Sequence, residues 1–165
     1  MRIGILSDTH DKRKRTGVAV RRLKAEGAEV LIHCGDLTGP DIVYECAGVS
    51  LPCYFVFGNN DFDQNELRQA MNDVKAHCLD YEGEILFSGR RIAVTHGDVG
   101  SSVRRLLQDQ PDYLLTGHTH LAADSREGQT RWINPGALHR AETWTVAVLD
   151  LSLDQLHLIP IGDSR

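Results

Sequence analysis

The chain lacks the features that would place it in several broad classes. No apolar run approaches the roughly 20 residues a membrane-spanning helix requires, so no membrane association is expected. The opening Met1-Arg2-Ile3-Gly4-Ile5-Leu6 leads straight into a strand pattern with no signal-peptide regions, and nothing predicts export. Only four cysteines occur, Cys34, Cys46, Cys53 and Cys78, with no CxxC pair, and all lie in or beside apolar segments. Disulfide staples and thiolate metal sites are therefore not expected, and a reducing cytoplasm is. Positive charge is not in excess: 18 Lys and Arg stand against 23 Asp and Glu, a net charge of −5. That argues against stable binding to long nucleic acids through phosphate contacts and leaves small anionic substrates open. No repeat, low-complexity tract or Pro/Gly/Ser linker divides the 165 residues. This length buries a core without staples, so residues 1–165 read as one domain.

What is present is an alternation of short β-rich runs with helical stretches. Strands are expected at Arg2 to Ser7, Val30 to Cys34 and Cys53 to Phe57, and helices at Thr16 to Glu26, Asp41 to Ala47 and Gln64 to Ala76. The second half reads differently. Tyr81 to Phe87 and Arg91 to Thr95 flank a Ser88-Gly89 turn, a short helix spans Ser101 to Gln108, and Tyr113 to Thr116 is a strand. From Thr130 onward the chain reads as strands and turns, ending in a hairpin of Thr143 to Asp150 and Gln155 to Ile161. The fold class is α/β: two packed mixed sheets with helices outside. The last strand is a candidate edge for pairing with a second copy, so a homo-oligomer is one expectation.

Charged and imidazole residues recur at the C-terminal ends of these strands, where loops converge above a sheet edge. They are Asp8-Thr9-His10, Gly35-Asp36, Gly58-Asn59-Asn60-Asp61, Thr95-His96-Gly97 and Gly117-His118-Thr119-His120. Any one of these is more simply a turn or strand surface. All five, each at a strand end in a chain with eight histidines, point to a site. The glycines allow tight turns and close backbone approach to an ion or phosphate. Residues two apart, such as Asp8 and His10 or His118 and His120, share one face if the segment is extended. Carboxylate oxygen with imidazole nitrogen suits Mn²⁺, Fe, Co²⁺, Ni²⁺ or Zn²⁺ better than Ca²⁺ or Mg²⁺.

These motifs, running in order from Asp8 to Asn134-Pro135-Gly136, resemble the calcineurin-like metallophosphoesterases, and within them the small YfcE-like phosphodiesterases. The resemblance implies a four-layer α-β-β-α sandwich and two divalent metal ions per chain, Mn foremost, with Ni, Fe, Co or Zn as alternatives. It implies one metal held by Asp8, His10, Asp36 and His120, and a second by Asp36, Asn59, His96 and His118, with Asp36 bridging. Two ions about 3.5 to 4 Å apart clamp a phosphoryl oxygen and lower the pKa of a bridging water, so the expected nucleophile is a metal-held hydroxide attacking in line. The expected substrate is a small phosphodiester.

One departure stands out. Many relatives carry Gly-Asn-His-Asp at the third motif, where this chain has Asn60. An amide can donate a hydrogen bond to a phosphoryl oxygen but supplies no proton near neutral pH, so diesters or activated esters are expected substrates. Asn60 is thus a candidate catalytic residue. Asp61 is a second such candidate, and also one for orienting ligand imidazoles, along with carbonyls near His33 and Gly97. Ala137 stands where relatives often carry Ser.

Blander readings are preferred elsewhere. Lys12-Arg13-Lys14-Arg15 reads as a solvated basic turn rather than a phosphate trap. His33 reads as a buried, hydrogen-bonded histidine, His77 and His157 as surface or structural residues, and His139 and Arg140 as loop residues, with contact to substrate the less favoured alternative. Trp132 and Trp144 read as packing residues. The rival function is a catalytically silent interaction scaffold on the same fold, as the retromer subunit of the family resembles. Here all seven metal positions hold competent ligands, which favours an enzyme.

Overall fold

The computed structural model describes residues 1–162, leaving the last three residues of the expected domain outside the description. Eleven strands and four helices follow the order β1 (Arg2–Leu6), α1 (Arg13–Ala25), β2 (Val30–His33), α2 (Pro40–Ala47), β3 (Cys53–Phe55), α3 (Gln64–Asp73), β4 (His77–Cys78), β5 (Glu82–Phe87), β6 (Arg90–Thr95), α4 (Gly100–Gln108), β7 (Tyr113–Leu115), β8 (Ala122–Glu127), β9 (Thr130–Pro135), β10 (Thr145–Asp150) and β11 (Gln155–Pro160). One sheet has the strand order β11-β10-β1-β2-β3-β4, the other β5-β6-β7-β9-β8. Both are mixed. The β1–β2, β2–β3 and β3–β4 pairs are parallel in the first, as are β6–β7 and β7–β9 in the second.

The layering follows from the two-residue period of the strands. Ile3, Ile5, Val30, Ile32, Ala147 and Leu149 point inward and meet Ile92, Val94, Tyr113, Leu115 and Ile133 of the other sheet. Their neighbours Leu6, Leu31, Val146 and Val148 point outward and are covered by Val20, Leu23, Ile42, Val43, Leu67 and Met71 of α1 to α3. On the far side, Ala93 and Leu114 pack under Val103 and Leu106 of α4. The expected four-layer α-β-β-α sandwich is the architecture observed.

Several boundaries differ from the sequence reading. Helix α1 starts at Arg13, so the basic run forms its first turn, with no acidic residue there and no side-chain cap at Lys12. Two members of that run are tied down. Arg13 pairs with Asp41 and Glu45, while Arg15 donates to the Leu138 carbonyl and lies 3.0 Å over the Trp144 ring. Helix α3 ends at Asp73 rather than Ala76, because Lys75 adopts a left-handed φ of 57° and turns the chain into the short strand β4. Strand β8 was not anticipated. Its residues are all exposed and polar or small, so no apolar alternation announces it, and antiparallel pairing with β9 builds it. The Ser88-Gly89 turn is as read, with both φ values positive (50° and 75°), matching the twist of a tight hairpin. Strand β11 lies at an edge of its sheet.

Ile32 is wholly buried between the sheets. Ile32→Ala should cost about 2–5 kcal/mol in urea unfolding, whereas Leu158→Ser on the exposed outer strand should stay within about 0.5 kcal/mol. Equal losses at both positions would contradict the inner core described here.

Candidate metal centre

The loops that follow five of the parallel strands, β1, β2 and β3 in one sheet and β6 and β7 in the other, carry the candidate ligands. Asp8 and His10 follow β1, Asp36 follows β2, Asn59 follows β3, His96 follows β6, and His118 and His120 follow β7. The loops achieve convergence by strained backbone rather than by extended alternation. Asp8, His10, Asp36, His118 and His120 have φ of 52°, 42°, 59°, 69° and 59°. Asp and His tolerate this region better than most residues, and such outliers gather at functional sites. The expectation that residues two apart share a face is corrected accordingly. His118 turns toward Asn59, with its Nδ1 3.1 Å from Oδ1, while His120 Nε2 lies 3.2 Å from Asp8 Oδ1.

Asp36 is the hub. Its Oδ2 lies 3.3 Å from His10 Nε2 and 3.5 Å from His96 Nε2. Asp8 Oδ1 stands 4.0 Å from each of the same two nitrogens. Asn59 Oδ1 reaches His96 Nε2 at 3.1 Å. Two groups of possible ligand atoms result, Asp8 with His10 and His120, and Asp8 with Asp36 and His96, each within 4.8 Å. The structure therefore brings all seven candidate ligands together. Asp8 Oδ1 and His10 Nε2 are buried without a hydrogen-bond partner, an arrangement that costs free energy unless a cation or donor sits among them. The residues present thus fit divalent ions.

The surroundings aim these atoms. His96 Nδ1 lies 2.7 Å from the Cys34 carbonyl, which can only accept, so Nδ1 carries the proton and Nε2 faces the cluster. Asp8 Oδ2 accepts from the Ser7 hydroxyl at 2.7 Å and the His118 amide at 3.0 Å, leaving Oδ1 free. Asp61 is buried, and its carboxylate accepts from the amides of Asp36 (2.9 Å), Gly58 (2.7 Å) and Thr38 (2.7 Å). Among the described residues it makes no hydrogen bond to an imidazole, and it fixes the Asp36 backbone. Asn60 donates from its backbone to Asp36 Oδ1 at 2.8 Å and from its amide to Oδ2 at 2.7 Å. Its side chain is spent on the hub carboxylate rather than aimed at a phosphoryl oxygen. His33 is buried as expected, with Nε2 3.1 Å from the Thr9 hydroxyl and Nδ1 accepting from the Gly35 amide.

The sequence reading favours a loop role for His139 over one in the site. Its ring packs 4.7 Å from that of His10 and 6.4 Å from that of His120. It lies in the loop after β9, another parallel strand of the same sheet, and that position was the available signal.

A mixed two-sheet sandwich with a carboxylate–imidazole cluster of this kind at its strand ends defines a metal-dependent phosphoesterase. More particularly, the chain belongs to the calcineurin-like phosphoesterase superfamily, whose domain model matches residues 1–154. It is 28% identical over 138 residues to phosphodiesterase MJ0936 of Methanocaldococcus jannaschii, covering 82% of this chain and 83% of that protein. It also resembles a solved archaeal phosphodiesterase, at a TM-score of 0.90 and 26% identity over 97% of this chain and 99% of that one. The phosphoesterase YfcE of E. coli shares the fold, at a TM-score of 0.70 and 20% identity, covering 98% and 100%.

Two buried histidines give the metal-stripped protein a defined pH response. Burial, helped by His96, lowers His33 to about 3. Burial also lowers His96, but hydrogen bonding and charge from Asp36, then Asp8 and the Cys34 carbonyl, outweigh it and raise His96 to about 9. The raised His96 contributes stability that is full below its unfolded value of 6.5 and lost as pH climbs through about 9. The depressed His33 contributes stability that is full above 6.5 and lost as pH falls toward about 3. Urea unfolding of the stripped protein should peak near pH 6.5. Metal should remove the alkaline decline by replacing the proton on His96. A metal-free stability that rises steadily from pH 6.5 to 9 would contradict the protonated His96. Separately, Asp61→Ala strands three amide donors and should cost about 3 kcal/mol or more in urea unfolding.

Proposed function

We propose that the chain is a two-metal phosphodiesterase acting on small phosphodiesters. The carrying observation is the set of converged donor atoms around Asp36, two of them buried without a partner. Asp8, His10, Asp36 and His120 would hold one ion, and Asp36, Asn59, His96 and His118 the other. Asp36 would serve both ions, its Oδ2 lying 3.3 Å from His10 Nε2 and 3.5 Å from His96 Nε2. When bound, such ions polarise a phosphoryl oxygen and activate water for in-line displacement. The chain's own residues hold the donors in place and set which esters suit the site.

The donor set is nitrogen and oxygen without thiolate, which favours Mn²⁺, with Ni²⁺, Fe, Co²⁺ or Zn²⁺ as alternatives. Leaving-group assistance is weak on this chain. Asn60 has no acidic proton to give, and His139 is lowered to about 4 by burial and by His10, Lys12, Arg140 and His120, so it is neutral near pH 7. Diesters with good leaving groups are the substrates this arrangement suits. The four cysteines are free, which supports a reducing cytoplasm as the compartment. Among the described residues, no helix is long and apolar enough to cross a membrane. Any second copy would pair along the outer edge of β11.

The test is hydrolysis of bis-p-nitrophenyl phosphate by metal-stripped protein with Mn²⁺, Ni²⁺, Co²⁺, Zn²⁺ or Mg²⁺ restored. We expect turnover only with metal, strongest with Mn²⁺, and a loss of about 100-fold or more in Asp36→Ala. The diester should be cleaved faster than p-nitrophenyl phosphate. Binding of two metals without any turnover would move the reading to an interaction scaffold.

A further inference from the structure

The metal centre does not open onto a uniform surface. A cavity of about 430 Å³ begins at Asn59, the residue that joins His96 to His118, and runs outward between the loops after β3 and β6. Its sides are Tyr81 and Val99, respectively 59% and 50% exposed although large and apolar. The Tyr81 ring is fixed rather than loose. Its hydroxyl exchanges hydrogen bonds with the Gln64 amide at 2.9 and 3.2 Å, and its ring stands edge-on to Phe57 at 6.2 Å.

The charges of the cavity are unequal in availability. Asp80 is paired with Arg68, and Glu82 with Arg105. Asp98, two residues beyond His96, also lines the cavity, and no hydrogen bond or ion pair engages its exposed side chain among the described residues. Among the described residues, no Lys, Arg or His lines this space. A fixed aromatic ring and a free carboxylate lining one cavity, with the neighbouring arginines already held by Asp80 and Glu82, are the chemistry that recognises a positively charged alkylammonium group.

We propose that this cavity seats one alcohol arm of the phosphodiester and selects arms carrying an ammonium or trimethylammonium group. The inference rests on the phosphodiesterase reading and names the substrate class for the same site. Tyr81 receives the cation on its ring face, and Asp98 supplies the countercharge. Neither touches the reacting atoms, so both determine specificity only.

The experiment compares two chromogenic diesters with the Mn²⁺-loaded protein. One is p-nitrophenyl phosphorylcholine; the other is p-nitrophenyl 3,3-dimethylbutyl phosphate, its uncharged isostere. In each, water adds to phosphorus, the aryl P–O bond breaks, p-nitrophenolate leaves and the alkyl phosphate remains. We expect kcat/KM to favour the cationic ester about five- to tenfold, the size of a half-exposed cation–π contact with one ion pair. Asp98→Asn and Tyr81→Leu should each bring that ratio toward one, and Asp98→Glu should keep it, a pattern that a purely structural role would not produce. Hydrolysis of both esters at a ratio near one, or a ratio indifferent to Asp98, overturns the cavity assignment and leaves the phosphodiesterase reading intact. If neither ester is hydrolysed, that reading fails instead. Calorimetry with phosphorylcholine against 3,3-dimethylbutyl phosphate then decides: tighter, Asp98-dependent binding of the cation upholds the assignment, and equal binding overturns it.

Discussion

The interaction on which the rest depends is the gathering of lone pairs around Asp36. Carboxylate oxygens, an amide oxygen and imidazole nitrogens all face one small volume, and such atoms repel unless something positive lies among them. In the protein alone, part of that charge comes from His96, raised to about 9. Burial raises Asp36, but the neighbouring imidazoles of His10 and His96 and the hydrogen bond from Asn60 together hold it well below the usual carboxylate range. A proton on His96 is thus a placeholder for metal charge, and loading an ion means displacing it. The loops that carry the cluster hold left-handed backbone at Asp8, His10, Asp36, His118 and His120.

That scaffold is visible in how backbone presses on the ligand carboxylates. A Cβ on Gly58 would fall on the Asp36 carboxylate, and one on Gly117 would collide with the Ser7 hydroxyl and stand 2.6 Å from Asp8 Oδ2. The glycines of the motifs therefore make room for the side chains that would carry the metals, more than for a ligand itself. Asp61 completes the frame by tying the loops after β2 and β3 together through three amides. One buried carboxylate thereby sets where another one points.

Much of this was legible in the sequence because strand ends and ligand types coincide. The βαβ rhythm, the outward and inward alternation of Ile3 to Leu6 or Val30 to Ile32, and the order of the motifs all follow from period and composition. What escaped has a common cause: it depends on pairing or packing that leaves no local pattern. Strand β8 exists through hydrogen bonds to β9, and its exposed residues carry no periodic signal. His139 meets His10 only once the sheet has brought the end of β9 beside the end of β1. Asn60 was read by its chemistry as a phosphate donor, but its amide is closer to Asp36, and a strong acceptor at 2.7 Å takes it. The left-handed residues were equally hidden, since Asp and His at such positions look the same in sequence as Asp and His on a strand.

The replacement of a histidine by Asn60 then acquires a physical meaning beyond a missing acid. A histidine at this place could exchange a proton with a departing alkoxide, whereas the side-chain amide of Asn60 donates to the hub carboxylate at 2.7 Å, beside the backbone N–H bond that any residue there can make. Rigidity at Asp36 is gained and proton transfer is given up. A site built that way would depend on the metals it holds and on the intrinsic acidity of the leaving group, and selection among esters of one leaving group would come from the arm that stays behind. The cavity beside Asn59, with its held aromatic ring and free carboxylate, lies where that arm would be read. On the proposed reading, selectivity in this chain would rest on binding next to the reaction centre rather than on acid catalysis within it.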